Sequence, residues 1–545
     1  MLKKVIAVYA ALAIALSGSV ALGVYLLSGV IENNKVQSAM KAENETAPIE
    51  KAFHDQAGIY LEPAEPTTED EITFRVRVAR YNVTKAQFQY TTNKGFSWTT
   101  VDMEFDSHDD TGYYDYWKVV LPPQSSYIKY RFLLGNNNVD TTVFYTNRTG
   151  VTFEEPKVDN CWNLLVGFDV PEWAKGTVWY SIIPDVFFNG DTTSDDLTAA
   201  GNRDMRQWNI GRGSGSYGLA SKYGGDLFGI NQKVSYLKEL GVESIFTNPT
   251  SKSSQNIGYG KLAYTDVEDS FGTPNDYKNL LKAVHDKGMY YMQDADLAYT
   301  NANGMLTGGS RMYPLDINYF ADMYASPQVT AWGGYCLDLG TELAQETIYT
   351  TEDSFLQWLA RDIGVDGIRF DTGGWLWGTT ETTDLSANDV IRSMKYYLRK
   401  INPDFFFLSE ASGTTALLGG AFDSQWNRSL EGYIDNYAMG TVSPSNFANA
   451  LKNSIDVLPR NIGFTLYNFI SQHDTNRVYT DNRFNTFATL LIQFTYVGAP
   501  CIFYGEEVYL KSESNGSSSS TWCPPMEWNP AQWDYDMLNY YKALT

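Results

Sequence analysis

Gly367-Ile368-Arg369-Phe370-Asp371 and Phe405-Phe406-Phe407-Leu408-Ser409-Glu410 are hydrophobic, strand-like runs, each ending in a single carboxylate. A third run, Phe464 to Ser471, leads into Gln472-His473-Asp474. Carboxylates gathered at the ends of successive buried strands suit a barrel whose rim carries nucleophile, acid and base.

Outward from these runs, the chain from Gly176 onward alternates strand, helix, strand. Candidate barrel strands are 178–183, 243–247, 289–294, 367–371, 405–410, 422–426, 464–471 and 500–504, enough to close a barrel. Apolar residues at three- and four-residue spacing predict helices over 231–240, 277–287, 352–363 and 388–400. The stretch 298–341 is too long and too rich in Gly, Tyr and Pro for a plain connection, and reads as a small inserted lid subdomain over the barrel mouth. A serine-rich loop, Ser512 to Ser520, precedes a last helix ending at Thr545. The barrel thus occupies 161–545.

Upstream, 56–160 shows short alternating runs, among them Glu71 to Val78, Ala86 to Tyr90, Tyr113 to Val120 and Tyr127 to Phe132, separated by turn clusters such as Asn93-Lys94-Gly95. That pattern predicts an antiparallel β-sandwich. Residues 32–55 are polar, without an apolar period, and read as a linker. Ahead of it, Lys3-Lys4 precede an apolar run from Val5 to Ile31. As a helix this run reaches about 40 Å, enough for a hydrocarbon core of about 30 Å. It is either an uncleaved membrane anchor or a cleaved signal peptide; continuation past Ser17 and Ser19 favours the anchor. Both readings place the rest of the chain outside the cell, anchored at its surface or secreted.

Composition narrows the ligand. A net charge of -23 argues against nucleic acid and anionic lipid, which need clustered Lys and Arg. The 38 Tyr and 14 Trp suit a neutral ligand with flat apolar faces, such as a sugar, although aromatic rings also simply fill cores. The four cysteines, at 161, 336, 501 and 523, have neither zinc-site spacing nor the look of a disulfide framework.

Several ordered motifs now match a family. Tyr180-Ser181-Ile182-Ile183-Pro184-Asp185 through Asn189-Gly190-Asp191, Gly224-Gly225-Asp226-Leu227, Gly241-Val242 through Asn248-Pro249, Asp366 to Asp371, His473-Asp474 and Gly498 to Glu507 resemble the alpha-amylase superfamily, glycoside hydrolase family 13. The N-terminal sandwich makes the neopullulanase and cyclomaltodextrinase branch the nearest. The resemblance runs from about residue 57 to the C-terminus and implies a (β/α)8 TIM barrel cleaving alpha-glucans such as starch, pullulan or maltooligosaccharides. It implies Asp371 as nucleophile, Glu410 as general acid and base, and Asp474 as the carboxylate that steadies the transition state.

Physical reading of the residues adds two expectations. Arg369, two residues from Asp371 on one strand face, should keep Asp371 ionised, and the apolar run before Glu410 should raise its pKa. By the resemblance, His473 bonds a sugar hydroxyl at the cleavage point, Tyr259 stacks on that ring, and Asp294 supports the arginine. It also implies a structural calcium held by Asn189, Asp191, Ser194, Asp195, Gly224 and Asp226, an oxygen-only set that suits the ion. Ser194 stands where the family has asparagine.

The sequence departs from the family in places. The block Asp294-Ala295-Asp296-Leu297-Ala298-Tyr299 carries Ala298 and Tyr299 where the family has Asn-His. Losing one donor to a substrate hydroxyl costs a few kcal/mol of transition-state binding. Tyr299 is expected to substitute in part through its hydroxyl, and Trp375 to serve as a platform where the usual contacts after the nucleophile are replaced. The family's β-sandwich after the barrel is expected to be absent. Two other readings stay open beside hydrolysis: a surface glucan-binding protein with weakened turnover, and an alpha-glucan transglycosylase using the same covalent intermediate. The N-terminal sandwich is expected to bind glucan, with Tyr113, Tyr114, Tyr116 and Trp117 as stacking candidates, or to pair subunits as a homodimer.

Overall fold

The computed structural model describes residues 34–93, 95–125, 127–195, 222–253, 257–261, 264–297, 299–301, 324–329, 334–372, 387–410, 420–456, 458–477, 483–512 and 523–545. They form two compact units that divide at Gly167. The apolar N-terminal run, 1–31, lies outside the described residues. Among those described, no helix is long and apolar enough to cross a membrane.

The first unit is two antiparallel sheets packed face to face. One has the order Ala52–Phe53, Ile72–Ala79, Tyr114–Leu121, Glu104–His108, with Leu61–Glu62 also on Ile72–Ala79. The other runs Gly150–Thr152, Thr141–Thr146, Ile128–Asn136, Lys85–Thr91, Thr99–Asp102. Alternation sets the core. Ile72, Phe74, Val76 and Val78 all point inward, and Phe74 meets Phe88 and Tyr130 from the facing sheet at 4.5 and 4.8 Å between ring centres.

Residues expected to be linker are built into this unit. Residues 34–44 are helical, Ile49 is in the core, and Ala52–Phe53 forms an edge strand on Ile72–Ala79. The Nδ2 groups of Asn82 and Asn136 donate to the carbonyls of Asn44, Ala47 and Glu45. A few apolar residues in a polar stretch suffice where a sheet edge offers backbone partners, and composition averages over them. At the other end, Trp162–Leu164 pairs with Ile128–Asn136 and carries the unit past residue 160. Of the aromatic stacking candidates, Tyr113 is 55% exposed. Tyr114 instead holds the Arg77 guanidinium over its ring at 4.4 Å, and Trp117 packs against the core.

The second unit is the barrel. Its eight strands are Trp179–Ile182, Ser244–Thr247, Tyr290–Ala295, Gly367–Phe370, Phe406–Ser409, Ser424–Gln425, Tyr467–Asn468 and Ala499–Phe503. Each pairs parallel with its neighbour in chain order, and the last with the first. A parallel bridge from Trp426 to Tyr467 joins the sixth strand to the seventh and closes the ring. The seventh strand is far shorter than its apolar run, because Thr465 and Leu466 make i to i-3 turn bonds to Ile462 and Gly463 at the end of the helix before it.

Helices Leu227–Glu239, Pro274–Asp286 and Ala387–Arg399 lie where periodicity predicts them. Asp226 caps the first, and a Thr273–Asp276 capping box starts the second. The fourth predicted helix is short: Phe355–Gln357 runs into a π-helical turn, Trp358–Ile363. Between the third and fourth strands, Tyr299–Asn301, Gly334–Leu337 and Tyr324–Val329 make a three-stranded antiparallel sheet, the expected insertion.

Candidate active site

Because the strands are parallel, residues at their C-terminal ends share one rim. Asp294 on the third strand lies beside Arg369 on the fourth in register. Asp371 follows the fourth strand, its amide donating to the Ala295 carbonyl at 3.1 Å, and Glu410 follows the fifth, its amide donating to Phe370 at 3.2 Å. Asp474 comes after the seventh strand, fixed by its amide's bond to Gln472 Oε1 at 2.8 Å. The predicted carboxylates therefore meet at one rim through backbone placement alone.

Arg369 joins them. Its side chain is fully buried. Nη1 donates to Asp294 at 2.9 and 2.7 Å and to Asp371 Oδ1 at 2.7 Å, while Nη2 lies 3.0 Å from Glu410 Oε2. The guanidinium rests on the Trp426 indole, 4.2 Å from its centre. Tyr259 is part of the same network. Its hydroxyl donates to Asp294 Oδ2 at 2.6 Å and sits 2.9 Å from His473 Nε2. With that proton given to Asp294, Nε2 is the donor in the second bond. His473 Nε2 is in turn 3.4 Å from Asp474 Oδ2. Glu410 also accepts the Thr372 amide at 2.8 Å and pairs with Arg428 at 3.4 Å. Thr372 holds φ at +51°, a region a β-branched residue rarely adopts.

The charge balance of Asp371 and Glu410 corrects the sequence expectation in both cases. Burial pushes Asp371 well above the usual carboxylate range; Arg369 opposes this, and Asp294, Asp296 and Glu410 add to it. Burial would also raise Glu410, but Arg369, the Thr372 amide, Arg428 and His473 outweigh it and hold the carboxyl below its ordinary value. One guanidinium shared among three carboxylates cannot keep all of them ionised. The Phe405 to Leu408 side chains are buried in the barrel wall, whereas the Glu410 carboxylate reaches two arginines.

Of the remaining expected site residues, Tyr299 starts a strand paired to Cys336, with its side chain outside the described residues. Trp375 lies outside them altogether. Four buried or half-buried residues were not picked out from sequence: Trp426, Arg428, Lys261 and Asp296. Trp426 and Asp296 stood inside runs already singled out, and Lys261 is two residues from Tyr259. Only their meeting in space marks them.

Five of the six residues expected to hold calcium are tied together at the start of the barrel. Asn189 Nδ2 donates to both Asp195 oxygens at 3.1 and 3.0 Å. The Ser194 hydroxyl donates to the Asp191 carbonyl, and Asp226 Oδ2 accepts the amides of Gly190 and Asp191. Gly224, at φ +82°, lies just before that cap. Asn189 Oδ1 is buried without a hydrogen-bond partner among the described residues, which suits a cation ligand. Asp226 suits one less well, because three backbone amides already occupy its oxygens. Among the described residues no three acidic, His or Cys side chains converge, so an ion there would draw on amide and carbonyl oxygens as well.

Comparison with known proteins agrees with the two units. Residues 181–303 match the alpha amylase catalytic domain, and residues 49–167 the alpha amylase N-terminal ig-like domain. That second span begins at Ile49, a core residue, and ends at Gly167, where the two units divide. A maltogenic alpha-amylase from Bacillus acidopullulyticus is 26% identical over 84% of this chain and 77% of its own. Neopullulanase 2 from Thermoactinomyces vulgaris is 25% identical over 91% of this chain and 83% of its own. Among solved structures, a cyclomaltodextrinase superposes with a TM-score of 0.62 at 21% identity, covering 90% of this chain and 83% of that one. The type III pullulan hydrolase from Thermococcus kodakarensis gives 0.63 at 21%, over 91% and 87%.

Proposed function

Because this chain belongs to the alpha-amylase family, carrying its catalytic and N-terminal domains, we propose that it cleaves alpha-glucosidic bonds in starch-like glucans with retention of configuration. In this reading Asp371 attacks the anomeric carbon while Glu410 protonates the leaving oxygen. Glu410 then takes a proton from the water that releases the sugar from Asp371. Asp474 and His473 hold hydroxyls of the sugar at the cleavage point.

The observation that carries the reading is Arg369. Its Nη1 donates to Asp371 Oδ1 at 2.7 Å and its Nη2 lies 3.0 Å from Glu410 Oε2, so one guanidinium reaches both carboxylates that a retaining mechanism needs near each other. In the free site the proton favours Asp371, the reverse of what the first step needs. A glycosidic oxygen that takes up Glu410 in place of the Thr372 amide and Arg369 would reverse that order. A second reading, a glucan-binding protein with weakened turnover, draws on the same observation: Glu410 is held as the anion, and Ala298-Tyr299 replaces Asn-His.

The deciding experiment is release of reducing sugar from soluble starch, pullulan and cyclodextrin, with calcium, beside Asp371→Asn. Turnover lost in the variant supports the hydrolase. Binding of the same glucans without turnover in either protein assigns the chain to the second reading. The calcium belongs to this proposal: Asn189 Oδ1 and the Asp191 and Asp195 carboxylates would hold it, fixing the loop after the first strand. Attachment to or passage through a membrane by the N-terminal run is likewise proposed, on its length and leading lysines.

A further inference from the structure

Lys261 and Asp296 are an unusual pair to find under this rim. Both are fully buried. The segment that carries Lys261 lies along the end of the third strand: the Tyr259 hydroxyl bonds Asp294 Oδ2 at 2.6 Å, and the Gly260 amide donates to Asp296 Oδ2 at 3.4 Å. Yet Lys261 Nζ and Asp296 Oδ1 each have no hydrogen-bond partner among the described residues, and no ion pair closes between them. A buried ammonium and a buried carboxylate left without hydrogen-bond partners act on their surroundings through charge.

Those surroundings are the active-site carboxylates. Lys261 faces Asp296, Asp294, Asp371 and Glu268, and Glu268 already has its own cation, Lys222, at 2.7 Å. Asp296 faces Lys261, Asp294 and Arg369. Asp371 feels the charges of Arg369, Asp294, Asp296 and Glu410, and Tyr259, bonded to Asp294, feels that of Asp474. Arg369 is divided among three carboxylates, so a second buried cation has work that Arg369 leaves undone.

We propose that Lys261 is a positioning residue for the reaction: its buried ammonium offsets the Asp294, Asp296 and Asp371 cluster and makes Asp371 easier to ionise. The proposal rests on the reading of Asp371 as nucleophile. Both partners titrate close to neutrality, which fits a role in tuning. Burial lowers Lys261 to about 8 against the pull of the carboxylates, and raises Asp296 to about 7 against Lys261.

Two measurements test it on the full chain: the pH dependence of kcat/KM on soluble starch, and the pH dependence of carbodiimide coupling of glycine ethyl ester to Asp371, read by peptide mass spectrometry. The second needs no turnover. Lys261→Met is expected to move the acid limb and the coupling midpoint up by about one pH unit, a roughly tenfold loss of kcat/KM below the limb with the plateau nearly kept. Lys261→Arg, which keeps the charge, should stay at the wild-type midpoint, and Asp296→Asn should stay there or move lower. A Met variant with a lowered plateau or thermal midpoint but unmoved pH midpoints overturns the proposal, since that is what a purely structural lysine would give. If Lys261→Met does not fold, Lys261→Gln takes its place, and failure of both overturns it too. If the wild type has no turnover, the assignment of Asp371 as nucleophile falls, while the coupling midpoint still decides whether Lys261 sets its charge.

Discussion

Replacing Arg369 with Met isolates what its charge does, because Met keeps an apolar chain over Trp426 and removes the guanidinium. Asp294 is fully buried, and the Asp371 and Glu410 side chains are only 12% and 21% exposed. Removing one partner of a buried ion pair costs about 3–5 kcal/mol. Here the cost must depend on pH. In the wild type burial already raises Asp294 and Asp371 while Glu410 is held low; without the guanidinium all three rise further, so the folded variant holds protons that both the wild type and the unfolded chain have given up. Stability carried by such a raised carboxyl is present at low pH and is lost as pH climbs through its folded pKa. The deficit against wild type should therefore grow by about 1.4 kcal/mol per pH unit for each proton that the variant retains and the wild type has released. Urea unfolding of wild type and Arg369→Met, followed by Trp fluorescence at pH 5.5, 7 and 8, measures it. A deficit of the full size at pH 8 that shrinks toward pH 5.5 is expected. The same deficit at all three pH values would refute the reasoning, and would mean that Arg369 serves packing on Trp426 and not charge compensation.

Tyr299→His restores the donor that the sequence lacks beside the scissile bond and should raise kcat/KM on soluble starch by about 10²- to 10³-fold; an unchanged value counts against the reading of that position. In the first unit, His54 is buried between the Arg75 carbonyl and the Tyr130 hydroxyl, each at 2.7 Å, and burial lowers its pKa to about 3. A depressed folded pKa means stability lost as pH falls, here by about 1.4 kcal/mol per unit below about pH 6.5. The opening free energy from hydrogen exchange in the Ile72–Ala79 strand, corrected for the intrinsic exchange rate at each pH, should fall toward acid in the wild type and do so less steeply in His54→Gln. For the proposed ion, calcium at about 1 mM should raise the thermal midpoint over that in chelator, and Asn189→Ala should remove the difference. Equal midpoints in the wild type with and without calcium would refute the site.

The sequence alone determined the barrel and the placement of its carboxylates. Strands eight residues or fewer, apolar throughout and separated by helices of regular period, have few arrangements open to them. In a parallel barrel every strand end falls on one rim, so Asp371, Glu410 and Asp474 had to meet once their strands were located. The alternation of Ile72 to Val78 fixed the sandwich core in the same way. Residues 34–55 escaped because their order comes from a sheet edge elsewhere in the chain, which local composition does not contain. The shortened seventh strand escaped because a helix end competed for its backbone bonds. Only the tertiary structure decided the charge state of the site. Sequence placed Arg369 beside Asp371 and an apolar run before Glu410, and from these neighbours the two pKa directions come out reversed. A carboxyl's ionisation follows from every charge and amide around it in space, summed with burial. Arg428, His473 and the Thr372 amide enter that sum for Glu410, and Asp294 and Asp296 for Asp371, from other strands and loops. Nearness along the chain predicts a backbone position; it does not predict a field.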